Sequence, residues 1–394
     1  MIKWFARSET GNVAVLTALC MPVLIGGAGF GVEIGYDYYE QVHLQQAADA
    51  GAFAGAVEQR RGSANTLVVS TGSGAATANG AASADTVTIT PNGAGNNTVT
   101  ARITRNEPRL FSGLFVSQPL LITVNATAAL STAANACVLA LDPTASAAIN
   151  FSGNTTSTFN NCVVMADSIS SSAVNTQGSA QVYVPCMYAV GGVSTTSGDH
   201  LTSCSAPQTG QGPVGDPFAG LQIPSATGNC QNGNGANLQP GRYCGGVSFK
   251  NNVNLQPGVY IIDGGTLQAN ANANVSGTGV TFVFLNNASI SLNGNATFNV
   301  SAPTSGTYAG FLMVGSRTNT NVGNTINGTA TSSMTGNIYF PNQAVSYLGN
   351  FSGSGGCTHI VAKTVQWTGN TTVQVDCSSY GLQSIPVGGV TLIG

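Results

Sequence analysis

An uncharged run of twenty residues, VAVLTALCMPVLIGGAGFGV, occupies positions 13–32 of this chain. At about 1.5 Å of rise per residue, a helix of that length spans roughly the 30 Å hydrocarbon core of a bilayer. Lys3 and Arg7 precede the run, and acidic residues follow it. The positive-inside rule therefore predicts a cytoplasmic N-terminus, with the bulk of the chain on the other side of the membrane.

A cleaved signal peptide is the alternative interpretation of this run, but its apolar core is usually only about 7–15 residues long. Residues 36–61 contain no proline and carry an apolar stripe at helical spacing, which favours a retained anchor extended by a long helix. A GxxxG spacing within the span would let a second helix approach closely. The residues assigned to the anchor are Val13, Leu16, Leu19, Pro22, Leu24, Ile25, Gly27 and Gly31.

The segment TGNVAVLTALCMPVLIGGAGFGVEIGYDYYEQVHLQQAADAGAFAGAV resembles the N-terminal segment of TadE/TadG-like Flp (Tad) pilus-assembly proteins. The matching features are Gly11-Asn12, Pro22 in mid-span and the stretch at 44–54 around Ala-Ala-Asp-Ala. Pilin-like members of that wider group carry a glutamate five residues after the processing glycine, and Leu16 occupies that position here. The resemblance therefore implies the larger, unprocessed TadG-like branch.

The rest of the chain is poor in charge, because charged residues make up only 6% of the whole against about 25% in ordinary domains. Apolar residues still recur, so the region does not have the composition of a disordered chain. Residues 62–135 predict a small β-rich or α+β module with strands at 86–90, 98–103 and 120–124. Its arginines at 102, 105 and 109 are interpreted as a solvated strand end, and no nucleic-acid partner is expected.

Residues 136–394 contain an internal repeat, since NLQPGRY at 237–243 returns as NLQPGVY at 254–260. Short alternating strands lie between such pieces, and no run of helical periodicity is apparent after Arg61. We therefore expect an all-β, right-handed parallel β-helix with roughly eleven to thirteen turns of about 20 residues each. The predicted domains are an anchor and long helix at 1–61, the small module at 62–135 and the β-helix at 136–394.

Nine cysteines are present, and all except Cys20 lie after the span, where an oxidising compartment favours disulfides. Equivalent positions on neighbouring turns would lie about 4.8 Å apart, close enough for a disulfide. The predicted pairs are Cys137–Cys162, Cys186–Cys204, Cys230–Cys244 and, with matching register after Asn350 and Asn370, Cys357–Cys377. The chain has no Cys-x-x-Cys, and its histidines lack ligand-like spacing, so we expect no metal and no cofactor.

A β-helix raises the possibility of a polysaccharide-active enzyme, which would need two carboxylates about 5–9.5 Å apart. The six aspartates after residue 136 are scattered, and Asp142, Asp216 and Asp263 stand beside Pro or Gly, as turn-capping residues do. We therefore expect no catalytic residues and no small-molecule substrate. Phrases such as DPFAGLQIP and YAGFLMVGSR also resemble the extracytoplasmic regions of larger TadG-like proteins.

The function predicted from sequence and resemblance together is a membrane-anchored, non-enzymatic scaffold of Flp/Tad-type pilus assembly. A surface adhesin or carbohydrate-binding rod is the alternative, and an enzyme acting on polysaccharides is the less favoured one. The expected location is the bacterial inner membrane, single-pass, with the bulk of the chain periplasmic and surface exposure left open. The expected partners are the inner membrane and other pilus-assembly or secretion components, with the N-terminal helix as the candidate contact.

Overall fold

The computed structural model describes residues 10–61, 63–91, 98–130, 134–320, 322–329, 331–349, 351–352, 358–369, 371–374 and 385–393. The chain forms two compact units. Unit 1 is built from residues up to Leu130 together with residues from Val390 onward, and unit 2 from residues 131–389. Along the sequence, unit 2 therefore lies between two strands of unit 1. Each unit has its own hydrophobic core.

Unit 1 consists of α1 Thr10–Arg60, α2 Asn65–Ala78, β1 Thr86–Pro91, β2 Thr98–Glu107, a 3₁₀ turn at Ser112–Leu114, β3 Leu120–Leu130 and β28 Val390–Ile393. Its four strands form an antiparallel sheet in the order β1-β2-β3-β28. The second half of α1 is buried through Leu44 and a series of alanines, which pack on alternate residues of the sheet such as Val99 and Ile103. The small residues of the helix pack against β-branched residues on one face of the sheet, which gives this core its close packing.

The helix α2 corrects the expectation that helical periodicity is absent after Arg61. Its sequence, NTLVVSTGSGAATA, is rich in β-branched residues and glycine, which have low helix propensity. Packing overrides that propensity, because Val68, Gly72 and Ala76 form one buried face. Gly72 approaches Gly51 of α1 so closely that an added Cβ would lie 2.9 Å from the Gly51 carbonyl oxygen.

Unit 2 is a parallel β-solenoid of about ten turns, which confirms the predicted β-helix. Its strands are β4 Ala134–Ala140, β5 Ile149–Phe151, β6 Thr156–Asn160, β7 Val163–Ala166, β8 Val174–Thr176, β9 Gln181–Val184, β10 Met187–Ala189, β11 Val193–Ser194, β12 Asp199–Leu201, β13 Asn237–Leu238, β14 Gly241–Phe249, β15 Asn252–Leu255, β16 Gly258–Ala269, β17 Asn274–Thr278, β18 Val280–Leu285, β19 Ser289–Leu292, β20 Thr297–Ser301, β21 Phe311–Gly315, β22 Gly323–Gly328, β23 Ser333–Gly349, β24 Phe351–Ser352, β25 Thr358–Trp367, β26 Thr371–Gln374 and β27 Ile385–Val387. The turns are fewer than predicted because their lengths vary. Asn237 pairs with Asn254, 17 residues on, whereas Asn299 pairs with Ser333, 34 residues on.

The turns of the solenoid do not stack in chain order. The chain enters in the middle at β4, and the turns that follow build toward one end at β10–β12. It then restarts at the other end with β13 and β14, and its later turns build back until β25 pairs with β4. β27 also pairs with β4, so the first and last strands of unit 2 lie side by side.

Residues 202–236, here called the return segment, connect the two ends of the solenoid along its outer surface. The backbone N–H groups of Val214 and Gly215 donate to the Asp167 carboxylate at 2.8 and 2.7 Å. Further along, Phe218 packs on Phe311 and Tyr339, with ring centroids 4.9 and 5.5 Å away. The return segment therefore packs on an apolar outer face of the solenoid, and this contact forms a second, smaller hydrophobic cluster.

Aromatic and polar ladders hold successive turns in register inside the solenoid. Trp367 stacks between Tyr347 on β23 and Phe151 on β5, with ring centroids 5.8 and 4.9 Å away. Asn175 Nδ2 donates to Asn150 Oδ1 on the neighbouring turn at 2.9 Å, which is the uncharged side-chain ladder expected of stacked parallel strands. Hydrogen bonds between uncharged side chains thus hold the turns in register, a role that ion pairs have in other folds.

Candidate functional site

The first half of α1 carries the predicted membrane span. In the part of the chain that the structure describes, α1 is the one helix long and apolar enough to cross a membrane, and its apolar window is wholly unburied. Leu16, Leu19 and Leu24 are exposed by more than half of their surface. A soluble helix would bury such side chains on one face, so the exposure all round is typical of a lipid-facing segment.

All eight residues assigned to the anchor lie on this single uninterrupted helix. Pro22 is inside it without ending it, as is tolerated in a bilayer, where an unsatisfied backbone group is costly. An added Cβ on Gly27 or Gly31 would meet no atom within 4 Å, so this side of the helix is open. The anchoring role of these residues, and helix pairing through the glycines, remain predictions.

Glu33 marks the end of the apolar half of α1. It is buried, and its carboxylate accepts hydrogen bonds from the Leu110 and Ser112 backbone N–H groups at 3.1 and 2.7 Å and from the Ser112 hydroxyl at 2.7 Å. Those donors belong to the connection between β2 and β3, nearly eighty residues away in sequence. Sequence reasoning missed this contact, although a glutamate directly after an apolar membrane span is a signal for one.

The interpretation of the Arg102–Arg105–Arg109 cluster as a solvated strand end is wrong for Arg105. Its side chain is only 14% exposed and pairs with Glu40 at 2.5 Å and Asp85 at 2.7 Å. The hydrogen bonds from the Arg105 guanidinium hold the pKa of the Asp85 carboxyl below its usual value. This triad ties α1 to the sheet at Glu40, about two helical turns beyond Glu33, so the helix that leaves the apolar run is fixed in unit 1.

Three predicted disulfides are present in unit 2. Cys137–Cys162, Cys186–Cys204 and Cys230–Cys244 each have a Cα–Cα distance of 5.5 Å. The first joins two neighbouring turns, and the last fastens the end of the return segment to β14. The predicted Cys357–Cys377 pair lies outside the described residues. Cys20 is a free, exposed cysteine within the apolar run.

The aspartates of unit 2 that the structure describes have structural hydrogen bonds. Asp142 Oδ1 accepts from the Thr144 and Ala145 N–H groups, as predicted for a turn cap. Asp216 also accepts from a nearby N–H, that of Phe218, but its second oxygen accepts from the Tyr339 hydroxyl at 2.6 Å. Asp263 pairs with Arg242 instead of capping its own turn. Among the described residues, no group of three or more potential metal ligands is assembled.

The cleft of unit 2 nearest to its disulfides is a second candidate site. Its volume is about 600 Å³, and polar residues such as Asn160, Asn161 and Ser203 line it together with Tyr183. The Tyr183 ring is partly exposed and stacks on His200 with centroids 4.4 Å apart. An aromatic face beside amide and hydroxyl groups can bind a sugar ring, because it offers both an apolar surface and hydrogen bonds.

Comparison with known proteins points to the N-terminal helix. The family model described as putative Flp pilus-assembly TadE/G-like matches residues 11–58. No curated protein and no solved structure matches the chain. The matched residues coincide with α1, from the start of its apolar run to the part buried in unit 1. Residues 11–58 are therefore similar to the TadE/G-like Flp pilus-assembly family, as the sequence predicts.

Proposed function

We propose that this protein is a membrane-anchored, non-enzymatic scaffold of a Flp/Tad-type pilus assembly system. One observation carries the proposal: the segment similar to the TadE/G-like family is a single helix whose first half is exposed and apolar and whose second half forms the core of a folded unit. A helix built in this way joins a bilayer rigidly to the domain that follows. The solenoid then supplies a long, nearly uncharged surface for contact with other pilus components.

The proposed topology places the N-terminus in the cytoplasm and both folded units in the periplasm. Lys3 and Arg7 before the span support this orientation, since positive residues favour the cytoplasmic side. The disulfides of unit 2 support it as well, because such bonds persist in oxidising compartments. A phosphatase fused to the C-terminus should be active and a green fluorescent protein fused there should be dark. The reverse pattern would overturn the topology.

The test of the anchor and of the pilus role is a deletion strain complemented with variants. Leu19→Arg with Leu24→Arg puts two charges into the span, each costing about 3 kcal/mol at the centre of a membrane helix. Leu67→Arg is the matched control, because Leu67 is also an exposed leucine on a helix but lies in α2. We expect the deletion and the span variant to lack pili, and the control to restore them.

Normal piliation of the deletion strain would contradict the pilus role. Restoration of pili by the span variant would contradict the anchor. The absence of catalysis is tested separately, by incubating the purified full-length protein in detergent with bacterial polysaccharides. Release of reducing ends or unsaturated products would show an enzyme instead of a scaffold.

An adhesin that binds carbohydrate is the second candidate function, and the cleft beside Tyr183 favours it. Stacking of a sugar ring on Tyr183 predicts saturable glycan binding that Tyr183→Ala abolishes. Exchange of Tyr188, which also lines the cleft but is buried, for Phe keeps the packing and serves as the control. Glycan binding that is indifferent to Tyr183→Ala would remove the cleft from consideration.

A further inference from the structure

The connection between β2 and β3 contains an uncharged, largely apolar run, LFSGLFV, at residues 110–116, here called the apolar loop. Leu114 and Phe115 are 76% and 77% exposed, among the most exposed large apolar side chains described, and Leu110 is 58% exposed. They take no part in the core of unit 1. An exposed cluster of this kind on a small unit marks an interaction surface.

Glu33 fixes the apolar loop beside the end of the span. Its carboxylate accepts hydrogen bonds from the Leu110 and Ser112 N–H groups and from the Ser112 hydroxyl, at 3.1, 2.7 and 2.7 Å. Hydrogen bonds to an ionised acceptor are about twice as strong as neutral ones. The first charged residue after the apolar run therefore serves as the attachment point of the loop.

Phe111 carries the loop past that attachment point and onto the span itself. A Cβ added to Gly29 would lie 2.5 Å from the Phe111 ring, so the ring rests directly on the helix backbone. The same ring lies 6.3 Å from the Phe30 ring, centroid to centroid. Gly29 precedes the end of the apolar run by three residues, or roughly 4.5 Å along the axis. The apolar loop thus lies alongside the last turn of the span.

We infer that the apolar loop enters the bilayer leaflet in which the span ends, so that unit 1 contacts the membrane at two points. This inference rests on the proposed membrane anchor. The apolar loop contacts lipid because its surface is continuous with the lipid-facing surface of the helix and lies at the same depth in the membrane. Interfacial segments bury their apolar side chains about 5–10 Å into the headgroup and acyl boundary, which matches this placement.

The residues around the loop suit the membrane–water interface. Arg109 directly precedes the apolar loop and is held there by donating to the Gln118 carbonyl at 2.9 Å and the Ser112 hydroxyl at 3.3 Å, where its charge can meet lipid phosphates. Tyr38 and Tyr39 of α1 are exposed just beyond Glu33. Tyrosines are enriched at this level of membrane proteins. A second contact would fix both the depth and the rotation of unit 1 at the membrane.

The test uses the full-length protein in phospholipid nanodiscs with a spin label on one cysteine at a time, in a background with Cys357→Ala and Cys377→Ala. Leu114→Cys and Phe115→Cys, each with Cys20→Ala, probe the loop. Cys20 of the background chain probes the span, and Asn79→Cys with Cys20→Ala probes an exposed site at the end of α2. The measurement is the collision rate of each label with oxygen, which dissolves in lipid, relative to that with a water-soluble nickel chelate.

We expect the oxygen-to-nickel ratio at both loop positions to exceed that at Asn79→Cys by about tenfold, because polar nickel is excluded from hydrocarbon. An oxygen-to-nickel ratio at the loop as low as that at Asn79→Cys, together with a high ratio at Cys20, would overturn the inference and leave the anchor intact. An aqueous ratio at Cys20 would overturn the anchor itself. Protection of the loop labels from both reagents would show protein packed on the loop, and would also overturn the inference.

Discussion

Arg242 and Asp263 form an ion pair between successive turns of the solenoid, with Arg242 Nε donating to Asp263 Oδ2 at 2.8 Å. On the following turn, Asn286 Nδ2 donates to the other oxygen of the same carboxylate at 2.5 Å. Three turns are therefore connected by one aspartate. The hydrogen bonds from Arg242 and then from Asn286 lower the pKa of the Asp263 carboxyl. In a region with so few charges, this pair stands apart from the neutral ladders.

Replacement of Asp263 by Asn should lower the free energy of unfolding by about 1 kcal/mol at neutral pH, because the charge-assisted hydrogen bonds are lost. A carboxyl whose pKa is lower in the folded state stabilises the protein above its unfolded pKa of about 3.9, and this contribution disappears as the pH falls through the folded value. Wild type and Asp263→Asn should therefore converge in acid. Denaturant unfolding of the full-length protein in detergent at several pH values checks this. A constant difference across the pH range would contradict it.

His359 gives the solenoid a second pH dependence. It lies on β25 and is almost fully buried, and its desolvation lowers its pKa to about 4. The unfolded state, with a pKa of about 6.5, then binds a proton that the folded state does not, so stability is lost as the pH falls from 6.5 toward 4. The loss amounts to about 3 kcal/mol at most.

The measurement for His359 is the slope of unfolding free energy against pH between about 6.5 and 4. His359→Gln should have a shallower slope than wild type, whatever its stability at neutral pH. His200→Gln is the matched control, because His200 is exposed at the edge of unit 2. Equal slopes in wild type and His359→Gln would show that His359 titrates normally in the folded state.

The sequence predicted the type of each element better than the arrangement of the elements. The repeat of NLQPGRY as NLQPGVY is a property of single turns, and these two segments do lie on neighbouring turns. The pairing of β25 with β4 joins residues more than 200 positions apart, and no local pattern specifies it. In the same way, the sequence of β2 does not predict the partners of Arg105, because its pattern is that of a strand with one face in solvent. Long-range contacts of this kind depend on packing and not on periodicity.

Glycine content also limited the prediction of helix α2 from the sequence. The segment that forms α2 contains glycines and β-branched residues, which on propensity alone indicate a loop or a strand. Its helical state depends on Gly51 of α1, which leaves room for the second helix. By contrast, three of the four predicted disulfides are present, although matching register supported only Cys357–Cys377, which lies outside the described residues.

Removal of the Cys137–Cys162 disulfide should destabilise unit 2. The bond closes a loop across 25 residues between neighbouring turns, and a crosslink over that separation stabilises a fold by about 3 kcal/mol through the unfolded state. The double variant Cys137→Ala, Cys162→Ala should therefore unfold at lower denaturant concentration than wild type under oxidising conditions. Under reducing conditions that break the bond, most of the difference should vanish. A difference that persists after complete reduction would indicate that lost packing, not the crosslink, is responsible.

The contact between Gly51 and Gly72 sets the distance between α1 and α2. An added Cβ on Gly72 would lie 2.9 Å from the Gly51 carbonyl oxygen and 3.1 Å from Ile89, both within the core of unit 1. Gly72→Ala should therefore force the helices apart and destabilise unit 1 by about 1–3 kcal/mol, the usual cost of overpacking.

Gly74 provides the matched control for Gly72, since it lies on the same helix and an added Cβ there meets no atom within 4 Å. Gly74→Ala should stabilise the protein by up to about 1 kcal/mol, because alanine has the higher helix propensity. Opposite signs for the same substitution two residues apart can arise only if α2 is a helix packed through Gly72. Thermal unfolding of the two variants in detergent measures the signs. Stabilisation by both substitutions would show that the two helices are not in close contact, and destabilisation by both would show that the segment is not helical.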